Sequence, residues 1–210
     1  FRSSVSGKRN AEDTKVTDAL IKYFKEYTNG KDTNQSQEWI INRYRSITEE
    51  LDLDEEIIEE IARDIKSLAT LPKSDNTFLY DTFLAAGENN NAKLIAAYFV
   101  KKGLEAKYIH PKDAGIFVTS EPCNARILPS SYDKIEELRN HNEILVIPGF
   151  FGITKEGQVC TFSRGGSDVT GSIVARATKA KLYENWTDVS GCLICDPRIV
   201  NNPAPINTIT

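Results

Sequence analysis

From Pro72 onward, short runs rich in β-forming residues alternate with helical ones, and that alternation admits few architectures. "NAKLIAAYFVKKGL" predicts a helix ended by Gly103, "EAKYIH" a short strand, "AGIFVTS" an extended run, "SSYDKIEELRNH" a helix with serine at its start, and "EILVIPG" a buried strand. Turn signals at "KEG" predict a hairpin through "QVCTF", and a helix follows from about Asp168 to Ala180. Strands separated by helices of this length imply an α/β fold, a three-layer α/β/α sandwich with a mainly parallel central sheet. In such folds ligands gather beyond the carboxyl ends of the strands.

The N-terminal part differs. From Asn10 to Leu71 the pattern is helical: "VTDALIKYFKEY" places Val16, Leu20, Ile21 and Phe24 on one face, with Thr17, Thr14 or Asp13 as capping candidates. "EWIINRYRSI" and "ITEELDLDEEIIEEIARDIKSLATL" follow, with Leu51, Leu53, Ile57, Ile58, Ile61, Ile65 and Leu68 at mixed spacings of three and four. The acids between them read as a solvated helix face, because a calcium loop needs a central glycine and alternating oxygen ligands.

With 210 residues and 40% hydrophobic content, one sizeable core is expected. A net charge of -4 gives no long-range attraction for phosphate backbones or anionic membranes, so neither nucleic acid nor membrane is an expected partner. The absence of a long apolar span and of a signal pattern points to a cytoplasmic protein. Cys123, Cys160, Cys192 and Cys195 lack the dense spacing of a disulfide scaffold, and the "CLIC" pair reads as small hydrophobes in a strand or turn. His110 and His141 stand apart, which gives little support to zinc catalysis or a Ser-His-Asp hydrolase, and no metal-ligand set is read.

Three polar junctions remain, each where an apolar run ends: "PGFFG", "SRGGSD" and "WTDVSG". Gly165 and Gly166 permit a tight turn and close backbone approach, the following helix offers free N–H groups, and Arg164 adds a planar charged fork, so the junction suits an anion. Asp168 would repel that anion unless it caps the helix, orients a lysine or holds a metal. Glu88, in "AGEN", is expected near a helix N-terminus. Phosphoryl transfer is the economical chemistry for such a chain, since it needs positioning and charge neutralisation more than a strong base.

"VIPGFFG", "TFSRGGSD" and "WTDVSGCLICDPRIV", with "AGEN" and "KVTDALI" in the same order, resemble the catalytic domain of aspartate kinases, within the amino-acid kinase family. The resemblance implies ATP-dependent phosphorylation of the L-aspartate side-chain carboxylate with magnesium, the first step toward lysine, threonine and methionine. It assigns Arg164 and Ser167 to the substrate's α-carboxylate region, Glu88 to its ammonium, and Ser6 and Thr17 to the neighbourhood of the carboxylate that is phosphorylated. Asp168 becomes the catalytic residue that organises a lysine and phosphate network. Thr187, Asp188 and Arg198 serve the nucleotide, and the backbones of Gly149, Gly152, Gly165 and Gly166 lie near substrate or phosphates.

The family's opening K-F-G-G-S-S is echoed only by Phe1, Ser3 and Ser4, and Lys8 matches a later loop. One catalytic domain over 1–210 is therefore expected, incomplete at the N-terminus and cut before C-terminal regulatory domains of the ACT type, from a protein that is homo-oligomeric at full length. The alternatives are another family member such as glutamate 5-kinase, and a binding module without turnover.

Overall fold

The computed structural model describes residues 13–163, 166–186, 194–195 and 199–206. Four helices come first: α1 (Val16–Thr28), α2 (Asn34–Glu50), α3 (Glu55–Ser67) and α4 (Asn76–Lys101). They enclose one apolar cluster in which Leu20, Tyr23, Ile40, Tyr44, Ile61, Ile65 and Phe83 have no measurable exposure. The α1 face is rotated from the one expected, since Val16, Ala19, Leu20 and Tyr23 are the buried positions and Ile21 is only half-buried. Tyr23 and Tyr44 enter this core because their hydroxyls find partners: Tyr23 donates to the Ile65 carbonyl (3.1 Å) and Tyr44 to the Gly87 carbonyl (2.9 Å).

Three local expectations change here. None of Thr17, Thr14 and Asp13 caps α1: the capping position is Lys15, with no side-chain bond, and Asp13 instead pairs with Arg43 at 2.6 Å. The long acidic pattern breaks into two helices because Asp52 takes a left-handed backbone (φ 52°), which closes α2 before α3 begins. The helix expected to start after "AGEN" starts at Asn76 instead, capped by Asp75, whose carboxylate accepts from the Thr77 and Phe78 amides. It runs through Gly87, which lies where α1 and α4 pack closely: a Cβ there would be 3.2 Å from Leu20 Cδ1.

The second half contributes β1 (Ala106–Tyr108), α5 (Ser131–Glu136), β2 (Ile144–Val146), β3 (Phe151–Ile153), β4 (Val159–Thr161) and α6 (Gly166–Ala177). β1 and β2 pair in parallel, whereas β3 and β4 form the antiparallel hairpin expected around "KEG". Isolated bridges join Phe117 to Ile153 and Val118 to Ile127, so the extended run "AGIFVTS" lies beside the hairpin. β2 is less buried than expected, with Ile144 44% exposed. A second apolar cluster, including Ile116, Ile135, Cys160, Phe162 and Ile173, holds the hairpin against α5 and α6.

Candidate active site

The glycine turn "PGFFG" and the start of α6, separate in sequence, form one unit. A Cβ on Gly149 would lie 2.8 Å from Ser167 Cα, and one on Gly166 would lie 2.9 Å from both Phe150 Cδ2 and Phe162 Cβ, so each glycine is required by close packing between the two segments. Gly152 faces Ile116 and Val118 in the same way. Hydrogen bonds complete the joint: the Phe150 amide donates to Thr170 Oγ1 (3.1 Å), the Thr170 hydroxyl donates to the Gly166 carbonyl (2.9 Å), and the Phe162 amide donates to the Phe150 carbonyl (2.8 Å). On this buried support, Ser167 and Asp168 are exposed in the first turn of α6. The free amides and positive dipole end of that turn suit an anionic ligand.

Glu88 lies in the middle of α4, which corrects its expected place at a helix start. It is partly buried, and burial raises its carboxyl above the ordinary carboxylate range. Among the described residues no salt bridge reaches it, and a half-buried carboxylate of this kind suits an ammonium donor. Thr17 is exposed in the first turn of α1, next to Val16, which reaches the same Gly87 contact beside Glu88. The structure thus brings Gly149, Gly166, Ser167 and Asp168 together, while Thr17 and Glu88 stand on the two helices that pack at Gly87. Ser6, Arg164, Gly165, Thr187, Asp188 and Arg198 lie outside the described residues, as does Cys192.

A residue the sequence reading passed over sits behind the joint, at the end of β4. Asp81, in α4, has 0% exposure, and its carboxylate accepts from the Thr161 amide (2.6 Å), the Cys123 amide (3.0 Å) and the Cys123 thiol (3.0 Å). A charge between Tyr80 and Phe83 on an apolar helix face was the available signal. Burial and the nearby Asp81 carboxylate push the Cys123 thiol up to about 11 and Cys160 to about 12, so both are protonated at neutral pH.

A cleft of about 410 Å³ on another face of α4 has its charges matched internally, since Lys93 bonds Glu60 and Asp64 at 2.6 Å each. Among the described residues no group of three or more His, Cys, Asp or Glu side chains could hold a metal ion, and no helix is long and apolar enough to cross a membrane.

The amino acid kinase family profile matches residues 5–210. The chain is 48% identical over 207 residues to Aspartokinase 3 of Bacillus subtilis, covering 99% of this chain and 46% of that protein. An aspartokinase of Bacillus sp. strain MGA3 is 39% identical over 132 residues, 62% of this chain and 32% of its own. The aspartate kinase structure of Clostridium acetobutylicum superposes with a TM-score of 0.72 at 37% identity, over 94% of this chain and 42% of that one. The structure of E. coli aspartokinase III in complex with aspartate and ADP shares the fold, with a TM-score of 0.69 at 21% identity, over 95% of this chain and 45% of that one. The chain spans a little under half the length of Aspartokinase 3 and of these two solved chains. With its glycine turn locked to the head of α6 and the family profile matched from residue 5 onward, the chain belongs to the amino acid kinase family.

Proposed function

We propose that the chain forms the catalytic domain of an aspartate kinase, transferring the γ-phosphoryl group of ATP to the side-chain carboxylate of L-aspartate. The observation that carries this reading is the rigid joint between "PGFFG" and α6, with Ser167 and Asp168 exposed upon it, in a chain so similar to an aspartokinase along nearly its whole length. In the reaction one carboxylate oxygen forms a bond to the γ-phosphorus and the bond from that phosphorus to the bridging oxygen of ADP breaks. The products are 4-phospho-L-aspartate and ADP. The acceptor is already ionised at neutral pH, so no general base is required.

In this reading Glu88 takes the substrate ammonium, Arg164 and Ser167 hold the α-carboxylate region, and Ser6 and Thr17 lie near the accepting carboxylate. Asp168 orients the cationic groups around the phosphates, which resolves its apparent conflict with an anion site. Thr187, Asp188 and Arg198 serve the nucleotide. Magnesium would be held chiefly by substrate phosphates and water, with the exposed Asp168 as the carboxylate that joins them, since the described residues offer no cage of protein ligands. When bound, the ion neutralises phosphate charge. A three-layer α/β/α arrangement with a mainly parallel sheet, a cytoplasmic setting, homo-oligomeric assembly and a place ahead of lysine and threonine synthesis belong to the same proposal.

Calorimetric titration of L-aspartate and of ATP, beside a coupled ADP assay, tests it. The expected result is binding of both and ADP release that depends on aspartate. Binding without turnover would support a binding module instead.

A further inference from the structure

We propose that Asp81 is a positioning residue for amino-acid recognition, holding Glu88 on α4 in fixed register with Ser167 and Asp168 at the start of α6. The inference rests on the aspartate kinase reading above and assigns a role to a residue that touches neither ligand in it. A continuous hydrogen-bonded path carries it. Asp81 Oδ2 accepts from the Thr161 amide (2.6 Å), the next residue's amide, Phe162, donates to the Phe150 carbonyl (2.8 Å), the Phe150 amide donates to Thr170 Oγ1 (3.1 Å), and that hydroxyl donates to the Gly166 carbonyl (2.9 Å). The path begins in the second turn of one helix and ends at the first residue of another.

Spacing makes the coupling specific. Asp81 and Glu88 are seven residues apart on α4, which puts them two turns apart on nearly the same face. At the other end, Thr161 closes β4 and Ser163 to Asp168 follow directly, so the anchor sits at the root of the segment that presents Ser167. The second contact of Asp81, to the amide and thiol of Cys123, ties down a residue with a left-handed backbone (φ 59°) and leaves the carboxylate with three donors. A buried carboxylate so satisfied is directional in a way that an apolar contact is not, because each bond fixes an angle as well as a distance.

The test compares Asp81→Ala and Asp81→Asn with the unsubstituted chain in steady-state kinetics, varying aspartate and ATP separately. Removing the acceptor is expected to raise the KM for aspartate about tenfold, and the neutral amide, which keeps one acceptor oxygen, about threefold. The KM for ATP should stay within about twofold in both, because the nucleotide residues of the proposal are not on this path. Should Asp81→Ala not fold, Asp81→Asn decides alone, with amide hydrogen exchange at Thr161 reporting whether the anchor has loosened. An unchanged aspartate KM in Asp81→Asn despite faster exchange at Thr161, or equal rises for both substrates, overturns the role. If the unsubstituted chain itself neither binds nor turns over aspartate, the aspartate kinase reading fails instead, and the two failures are distinct.

Discussion

The helical half and the hairpin half are held together by different means. In the bundle of α1 to α4 the interior is aromatic and aliphatic: Phe83 is fully buried, with its ring centroid 4.9 Å from that of Tyr23, 5.5 Å from Phe24 and 5.9 Å from Tyr27. Around β3, β4 and α6 the strands are three residues long, and a smaller apolar cluster is supplemented by close glycine packing and a buried carboxylate. The first arrangement supplies stability that tolerates local adjustment. The second fixes the relative placement of chain segments, which a site requires more than it requires burial.

Substitutions should separate these two roles. The largest expected effect is on the bundle: Phe83→Ala should cost about 3 to 5 kcal/mol of unfolding free energy, measured by urea titration, while the folded fraction keeps its aspartate affinity. Next comes the joint. Gly149→Ala pushes a methyl group against the Ser167 backbone and should cost about 1 to 3 kcal/mol, with aspartate affinity falling more than ATP affinity in calorimetry. Equal losses for both ligands would erase the distinction between the halves.

A charge on α4 provides a finer probe. Burial holds the Glu88 carboxyl above its ordinary value of 4.5, so the folded chain binds this proton more tightly than the unfolded chain does. Its favourable contribution is full below the ordinary value and is lost as pH rises through the folded value. Thermal melts from pH 4 upward should therefore show a component of declining stability that Glu88→Gln removes, and the same substitution should weaken aspartate binding about tenfold at pH 7. The smallest expected effect returns to the bundle: Tyr27→Phe removes a 2.6 Å bond to the Leu71 carbonyl and should cost about 1 kcal/mol without changing either ligand affinity.

The bundle was legible in the sequence because its helices repeat apolar residues at spacings of three and four, although Tyr23, polar at one end, displaced Ile21 from the expected face. The α4 helix was read too short because Gly87 and Asn89 to Asn91 look like punctuation in isolation, whereas the structure sets Gly87 inside the helix, beside Leu20. The hairpin was legible from its turn. What periodicity could not reveal was the pairing of distant segments, since nothing local in Asp81 announces Thr161 eighty residues away. Among the candidate site residues, Asp168 lies at a helix start as expected, but α6 runs from Gly166 to Ala177 where about Asp168 to Ala180 was expected, so Ser167 joins its first turn, while Glu88 moved from a helix start to a helix middle.

The most direct measurement is trapping of the acyl phosphate with hydroxylamine after incubating the chain with ATP and, in parallel, L-aspartate, L-glutamate or carbamate. The account predicts hydroxamate formation and matching ADP release with aspartate alone, because in the proposed site Glu88 and Ser167 hold the ammonium and α-carboxylate while the accepting carboxylate lies by Thr17, a spacing proposed to match the aspartate side chain. Product with glutamate and none with aspartate would contradict it.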